Sequence, residues 1–367
     1  MTSSSALLAY CRVGYEKDVA AELTQVLAAR GVYGYPVLQA GDGYIHFILP
    51  DLSAHDVIAE LAVSDLIFVR QLSAILAEIE SFPLQQRVEA VTAALDEAML
   101  VVRETKPIPK VMGRLEVEYP DSESGKSVAR FAKKFAVPLR QALRQQQRLT
   151  SKERLDLPCL RVFIDDFERC FISYSTPQKH SPYVNGIHRL KFPPAAPSRS
   201  TLKLEEAILD LLTDADRQAL FREGARAVDL GACPGGWTYQ LVHRGMHVEA
   251  VDNGAMADSL MQTGQVSYFA ADGFKYKPQY GSAQLLVCDM IERPDRVAVL
   301  MQQWLQKGYA QAAIFNLKLP MKKRYDTVVE LLAGLRDGLA SSFRVRCKQL
   351  YHNRDEVTVS IMPKHNK

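Results

Sequence analysis

Apolar positions recur along this chain with two periods, and the switches between them mark its elements. Alternating or short continuous apolar runs predict strands over residues 6–12, around Val37 and over 44–49, while three-and-four spacing predicts helices over 16–30 and 55–62. A further apolar run over 66–72 is expected to close this group. Next come a helix over 84–100, a strand over 114–119, helices through a basic stretch, and two strands over 160–164 and 170–174. The last two are joined by Asp165-Asp166-Phe167-Glu168, a run rich in turn formers. From Thr176 to Ser200 the chain is proline-rich and irregular. Beyond it, helices over 203–212, 238–244, 293–306 and 323–339 alternate with strands over 225–229, 247–252, 267–270, 282–289, 312–317, 343–350 and 356–362.

This order implies an α/β protein of more than one domain. Strand, helix, two strands, helix and strand is a ferredoxin-like order, expected over residues 1–76, and a second α+β module follows over 77–178. Residues 179–197 read as a linker. Over 198–367, continuous apolar strands interleaved with helices predict a doubly wound, Rossmann-like parallel sheet with an antiparallel hairpin at its edge. The length of 367 residues and hydrophobic content of 47% suffice for several buried cores.

Charge sharpens the picture. The formal net charge is only +3, yet residues 1–100 hold five basic side chains against thirteen acidic ones, and residues 126–154 hold nine basic side chains against Glu153 alone. Within that stretch Lys126, Arg130 and Lys134 share one helical spacing, and after a break expected at Pro138 so do Arg140, Arg144 and Arg148. Stripes of like charge without acidic partners point to a polyanion. No stretch reaches the roughly 20 apolar residues that a membrane helix needs. The start has no basic region ahead of its apolar run, so it does not read as a signal peptide. Six cysteines without C-x-x-C pairs argue against a zinc site and a disulfide framework. A cytoplasmic protein without metal or membrane partner is expected.

The chemistry concentrates in the second half. Asp229-Leu-Gly-Ala-Cys-Pro-Gly-Gly-Trp237 spells the end of a strand, a glycine-rich turn and the start of a helix, which brings backbone N–H groups against a small charged ligand. The dinucleotide spacing G-x-G-x-x-G is missing, which disfavours a nicotinamide oxidoreductase. In a doubly wound sheet the strand ends line one crevice, so Asp229, Asp252, Asp289 and Lys318 are expected to converge there. Asp252 is placed to accept from ribose hydroxyls and Asp272 to meet an adenine amino group. Together they predict an adenosine-bearing cofactor. Cys233 reads as a small turn residue and Trp237 as packing beneath the turn.

The turn Asp229-x-Gly-x-x-Pro-Gly-Gly236 and the strand order resemble the S-adenosyl-L-methionine-dependent methyltransferases, especially the RNA 2′-O-ribose branch with its Lys-Asp-Lys-Glu catalytic set. Ser198-Arg-Ser-Thr-Leu-Lys-Leu204 supplies Lys203, Cys288-Asp289 the aspartate, Asn316-Leu-Lys-Leu-Pro320 supplies Lys318, and Asn353-Arg-Asp-Glu-Val357 supplies Glu356, with Asp355 contending for that last role. The resemblance implies that Lys318 acts as base, Asp289 orients it, and Glu356 holds Lys203. Backbone groups of Cys233, Pro234, Gly235 and Gly236, with the Ser200 hydroxyl, would border the methionine end of S-adenosyl-L-methionine. The first half resembles THUMP-type RNA-binding modules. Over its whole length the chain is similar to the ribosomal RNA large subunit methyltransferase M family, which implies 2′-O-methylation of cytidine 2498 in 23S rRNA, either naked or in an early assembly intermediate.

Two other functions stay open on the residues alone. A base methyltransferase usually carries N/D-P-P-Y or a nucleophilic cysteine, and neither is read here. An RNA-binding ribosome-assembly factor with a non-catalytic cofactor site would keep the basic stretch and lose the chemistry.

Overall fold

The computed structural model describes residues 5–50, 52–102 and 110–364, and it divides into two compact units, the first ending at His188. Residues 1–4 of the start discussed above lie outside the described residues. In the first unit the elements are β1 (Ala6–Tyr10), α1 (Glu16–Ala28), β2 (Tyr35–Val37), β3 (Tyr44–Ile48), α2 (Ala54–Glu60), β4 (Gln71–Ile79), α3 (Arg87–Val102), β5 (Arg114–Glu118), α4 (Glu123–Gln145), β6 (Cys159–Ile164) and β7 (Cys170–Ser175).

These strands form one seven-stranded sheet, β2-β3-β1-β4-β7-β6-β5. Its first four strands have the ferredoxin-like arrangement. β4 then pairs on its other side with β7, so the ferredoxin-like module and the module after it share one sheet. The closing strand is Gln71–Ile79 and does not lie over 66–72. Leu66, Phe68 and Val69 are buried, but as a loop whose N–H groups at Ile67 and Phe68 donate to the buried Glu22 carboxylate. A buried apolar run met by a side-chain acceptor has no need of a strand partner. Residues 181–186 also belong to this unit: Ser181 exchanges hydrogen bonds with Gln71, and the Asn185 N–H donates to Glu118 at 2.7 Å.

α4 runs unbroken through Pro138. Proline in a helix interior forfeits one backbone hydrogen bond. The buried stripe Val128, Ala132, Phe135, Leu139 and Leu143 nevertheless keeps its spacing on both sides, so packing holds the helix together where local propensity would end it.

The second unit contains α5 (Thr201–Leu211), α6 (Asp214–Leu220), β8 (Arg226–Leu230), α7 (Gly236–Val242), β9 (His247–Asp252), α8 (Asp258–Met261), β10 (Val266–Ala270), β11 (Ala283–Cys288), α9 (Pro294–Gln306), β12 (Ala310–Lys318), α10 (Arg324–Gly338), β13 (Phe343–Lys348) and β14 (Glu356–Pro363). The sheet order is β10-β9-β8-β11-β12-β14-β13. The first five strands are parallel, and β14 is antiparallel to both its neighbours. This is the expected doubly wound sheet with an antiparallel hairpin. The short helices α6 and α8 fall outside the pattern of apolar positions, although Thr213 and Asp216 form a reciprocal capping box that starts α6. Leu285, Val287, Ala312 and Ile314 of the central strands pack with Leu204 and Ile208 of α5 and with Trp237 and Leu241 of α7.

Strand order reverses direction between β8 and β11. At such a switch point the loops leaving the carboxyl ends part, and an open parallel sheet binds its ligand there. No described helix is long and apolar enough to cross a membrane.

Candidate active site

The glycine turn sits at this switch point. Gly235 has a left-handed φ of +114°, and a Cβ there would lie 2.2 Å from Leu260 Cδ1. Gly236 opens α7, and a Cβ on it would lie 2.1 Å from Ser200 Oγ. The glycines thus let the start of α5 and the side chain of Leu260 in α8 close directly on the turn. Ser200 lies immediately before α5 and is brought to the turn in this way. The peptide between Cys233 and Pro234 is cis. Burial, followed by the charges of Asp252 and Asp229, raises the Cys233 thiol to about 11, so it is not poised as a thiolate. Trp237 is buried in the core with Leu204, Ile208 and Leu241.

Three carboxylates border the crevice. Asp252, the last residue of β9, accepts the Cys233 N–H at 2.8 Å and the Asn253 N–H at 2.6 Å. Asp272, beyond β10, accepts the Phe274 N–H at 2.9 Å. Both shape their loops and retain lone pairs for a ligand. Asp229 is fully buried: Oδ2 accepts the Thr238 hydroxyl at 2.7 Å, while Oδ1 has no hydrogen-bond partner among the described residues. Burial raises its pKa to about 7, with the negative charges of Asp289 and Asp252 adding to the rise against the Thr238 hydrogen bond. A buried acceptor without a partner beside a glycine turn is the mark of a missing polar ligand. A backbone cradle, two carboxylates at adjacent strand ends and this orphan oxygen fit the amino-acid and nucleoside ends of S-adenosyl-L-methionine.

Next to this cradle stand four charged side chains from four elements. Lys203 lies in the first turn of α5, Asp289 follows β11, Lys318 ends β12 and Glu356 begins β14. Lys203 Nζ is 3.1 Å from Asp289 Oδ2 and 2.6 Å from Glu356 Oε1. Lys318 Nζ bonds the other Glu356 oxygen and is 3.7 Å from Asp289 Oδ1. Asp289 therefore lies nearer Lys203 than Lys318, and Glu356 bridges both lysines. Asp355 is exposed, and its backbone carbonyl accepts the Leu319 N–H at 2.8 Å. Burial pulls the Lys203 pKa down, but Asp289 and Glu356 outweigh it and hold it above the ordinary lysine value. For Glu356, burial pushes upward and the two lysines prevail, leaving its pKa below the ordinary value.

A buried polar chain absent from the sequence reading supports the four. Asn316 Nδ2 donates to Asp289 Oδ1 at 2.8 Å, the Thr358 hydroxyl donates to Asn316 Oδ1 at 2.7 Å, and Asn353 Nδ2 donates to Thr358 Oγ1 at 2.9 Å. Strand period gives the missed signal: Asn316 lies two residues before Lys318 and Thr358 two after Glu356, so each shares a sheet face with a charged residue.

In the first unit, the basic stretch divides differently from the two expected stripes. Lys126, Arg130, Lys133 and Lys134 are exposed on α4. Arg144 donates to the Thr150 carbonyl at 3.2 Å, and Arg148, which lies past the end of α4, pairs with Asp96 at 2.5 Å. Arg140 reaches the Leu115 carbonyl at 3.5 Å. The second trio thus serves the fold.

A family model for an RlmM ferredoxin-like domain matches residues 4–73, one for the ribosomal RNA large subunit methyltransferase M N-terminal region matches 87–176, and one for an FtsJ-like methyltransferase matches 196–319. The ribosomal RNA large subunit methyltransferase M of Alteromonas mediterranea is 52% identical over 98% of this chain and 98% of its own. The proteins of that name from Vibrio parahaemolyticus and Shewanella amazonensis are each 44% identical, over 96% and 97% of this chain and 97% of their own. With family models matching residues in both sheets and relatives of that name 44–52% identical over nearly the whole chain, this chain belongs to the ribosomal RNA large subunit methyltransferase M family.

Proposed function

We propose that this protein transfers a methyl group from S-adenosyl-L-methionine to a ribose 2′-hydroxyl of 23S rRNA, the cytidine being that of its family, in naked RNA or an early cytoplasmic assembly intermediate. The observation that carries this reading is the pairing of two lysines with two carboxylates beside the glycine turn. When bound, S-adenosyl-L-methionine supplies an electrophilic methyl on a sulfonium. The Gly231 to Gly236 backbone, Ser200 and Asp229 would hold its methionine end, and Asp252, Asp272 and Asp289 would border the remainder.

A 2′-hydroxyl must lose its proton as it attacks, so a base is needed within hydrogen-bond reach. Lys203, embraced by two carboxylates, keeps its proton and serves as a fixed cation. Lys318 has the most exposed side chain of the four, at 30% against 17% for Lys203, 14% for Asp289 and 2% for Glu356. It is therefore the amine that a ribose can approach and, once it has given up its own proton to solvent, the neutral amine assigned to accept the proton of the 2′-hydroxyl. Asp289 and Glu356 fix both amines in place, and the Asn316-Thr358-Asn353 chain fixes Asp289.

The test is methylation of deproteinised 23S rRNA with labelled S-adenosyl-L-methionine, followed by mapping of 2′-O-methyl groups. Lys318→Ala is expected to lose at least about 100-fold in rate, within the span of general-base contributions, while retaining its melting temperature and cofactor affinity. Wild-type turnover in a folded Lys318→Ala protein would refute the assignment.

A further inference from the structure

Two loops leave the cluster side by side. Residues 289–293 follow β11 and residues 319–323 follow β12, and these strands are parallel neighbours with Cys288 opposite Phe315. Each loop begins on a residue of the cluster or directly after one. Each also carries an apolar side chain where none is needed for packing: Ile291 is 91% exposed and Met321 is 92% exposed, the two most exposed large apolar side chains among the described residues. Water is a poor environment for them, and a pair of such side chains on adjacent loops at a site's mouth marks a contact surface.

Charge identifies the partner. In the first loop, Glu292 and Arg293 are engaged locally, with Arg296 and Asp295 respectively. In the second, Lys322 and Lys323 are exposed and form no ion pair among the described residues. The loop is held at both ends, by the Leu319 N–H on the Asp355 carbonyl and by the Thr327 N–H on the Lys323 carbonyl. Its tip is therefore Met321 backed by two unneutralised cations. An apolar tip beside cations suits a strand of nucleic acid, whose bases are apolar on their faces and whose backbone is anionic.

We propose that Ile291 and Met321 are paired apolar wedges that occupy the gap left in the RNA stack when the target nucleotide is turned toward Lys318, with Lys322 and Lys323 on the flanking phosphates. The inference rests on the ribose-methylation reading above. A base in a stack keeps its ribose among its neighbours, and taking it out loses stacking, which apolar side chains entering the base step offset. Isoleucine and methionine are among the side chains that nucleic-acid-bending proteins insert in this way.

Two measurements test it. Ile291→Ala and Met321→Ala, and the double variant, are compared with wild type for single-turnover methylation of 23S rRNA, for RNA affinity and for S-adenosyl-L-methionine affinity by calorimetry. The expected result is a roughly tenfold or greater loss in methylation rate for the double variant, cofactor affinity within twofold of wild type, and recovery of most of the rate in Met321→Leu. Separately, a photoreactive Met321→p-benzoylphenylalanine protein is irradiated on rRNA and the crosslinks are mapped by primer extension. Crosslinks to nucleotides adjacent to the methylated one support the proposal. Crosslinks elsewhere on the RNA, crosslinks to protein instead, or a double variant with wild-type rate overturn it while leaving the methylation reading intact. If the wild-type protein places no 2′-O-methyl group on RNA, the methylation reading fails and the wedge inference falls with it.

Discussion

Lys318 and Glu356 are directly opposed residues of antiparallel strands, the last of β12 and the first of β14, and their side chains join across the ladder. A cross-strand pair is fixed by register, so the amine is positioned by backbone hydrogen bonds as well as by its carboxylate. A one-residue slip would place the two side chains on opposite faces.

Glu356→Gln should therefore cost both activity and stability. Removing one acid leaves two part-buried lysines sharing Asp289, and a loss of about 2 kcal/mol is expected, below the range for a fully buried pair because both amines retain some contact with water. The Glu356 pKa is depressed on folding, so its contribution is present above the ordinary glutamate value of 4.5 and is lost as pH falls through the lower folded value. Urea titrations of wild type and variant between pH 3 and 7 should converge at the acid end. Parallel curves would contradict this account.

Asp229→Asn should behave in the opposite sense. A carboxyl whose folded pKa is raised to about 7 folds without penalty below its unfolded value of 3.8, and the penalty grows until pH exceeds 7. The amide still offers an oxygen to the Thr238 hydroxyl and carries no charge. The variant should thus be more stable than wild type at pH 8, with the gap closing toward pH 4, and should bind S-adenosyl-L-methionine more weakly. A variant that is no more stable at pH 8 would show that Asp229 is ionised without cost.

Asn316→Ala removes the residue between Asp289 and Thr358. Leaving buried partners unsatisfied should destabilise by about 1–3 kcal/mol, and releasing Asp289 should slow methylation roughly tenfold through misplacement alone. Calorimetric unfolding together with single-turnover rates measures the two effects. If stability falls and the rate does not, Asn316 has no positioning role.

Charge removal on α4 separates binding from folding. Replacing Arg130, Lys133 and Lys134 with glutamine should reduce the slope of log affinity against log salt by about 2, roughly 0.7 for each cation in contact with single-stranded RNA, with little change in melting temperature. Arg148→Gln should do the reverse, because that guanidinium is committed to Asp96. Filter binding across a salt series distinguishes them, and an unchanged slope for the triple variant would remove α4 from the RNA surface.

Gly236→Ala tests how closely the start of α5 seats on the turn. The added methyl meets Ser200 Oγ, so cofactor affinity and stability should both fall, and Ser200→Gly in the same chain should recover part of the loss. Additive losses in the double variant would place the clash elsewhere.

Much of this was legible in the residues. The alternation of apolar strands and helices beyond residue 200 yields the doubly wound sheet, because buried parallel strands are continuous apolar runs. Lys203, Asp289, Lys318 and Glu356 are legible as candidates from their local motifs, but the division of contacts among them depends on Cα positions that only the assembled sheet supplies. Local signals also misled. The run over 66–72 has a strand's composition, yet Glu22, more than forty residues away, takes its N–H groups. Pro138 signals a helix end, yet a stripe reaching Leu143 carries the helix through. The equal spacing of six basic residues hides that Arg144 and Arg148 are spent on a carbonyl and a carboxylate. In each case a contact outside the local pattern overrides a local preference.

The placement of β14 has a consequence for how the protein comes into being. It is the last strand in chain order but lies inside the sheet, between β12 and β13, and it brings Glu356 and Thr358 with it. During synthesis from the N-terminus, β12 keeps a bare edge and Lys318 has only the more distant Asp289 beside it until Glu356 has emerged to pair across the ladder. A nascent chain can close the glycine turn and fold both flanking helices while its reaction centre is still unbuilt. Competence arrives late, when β14 pairs with β12 and carries β13, which has no other partner in the sheet, to the edge.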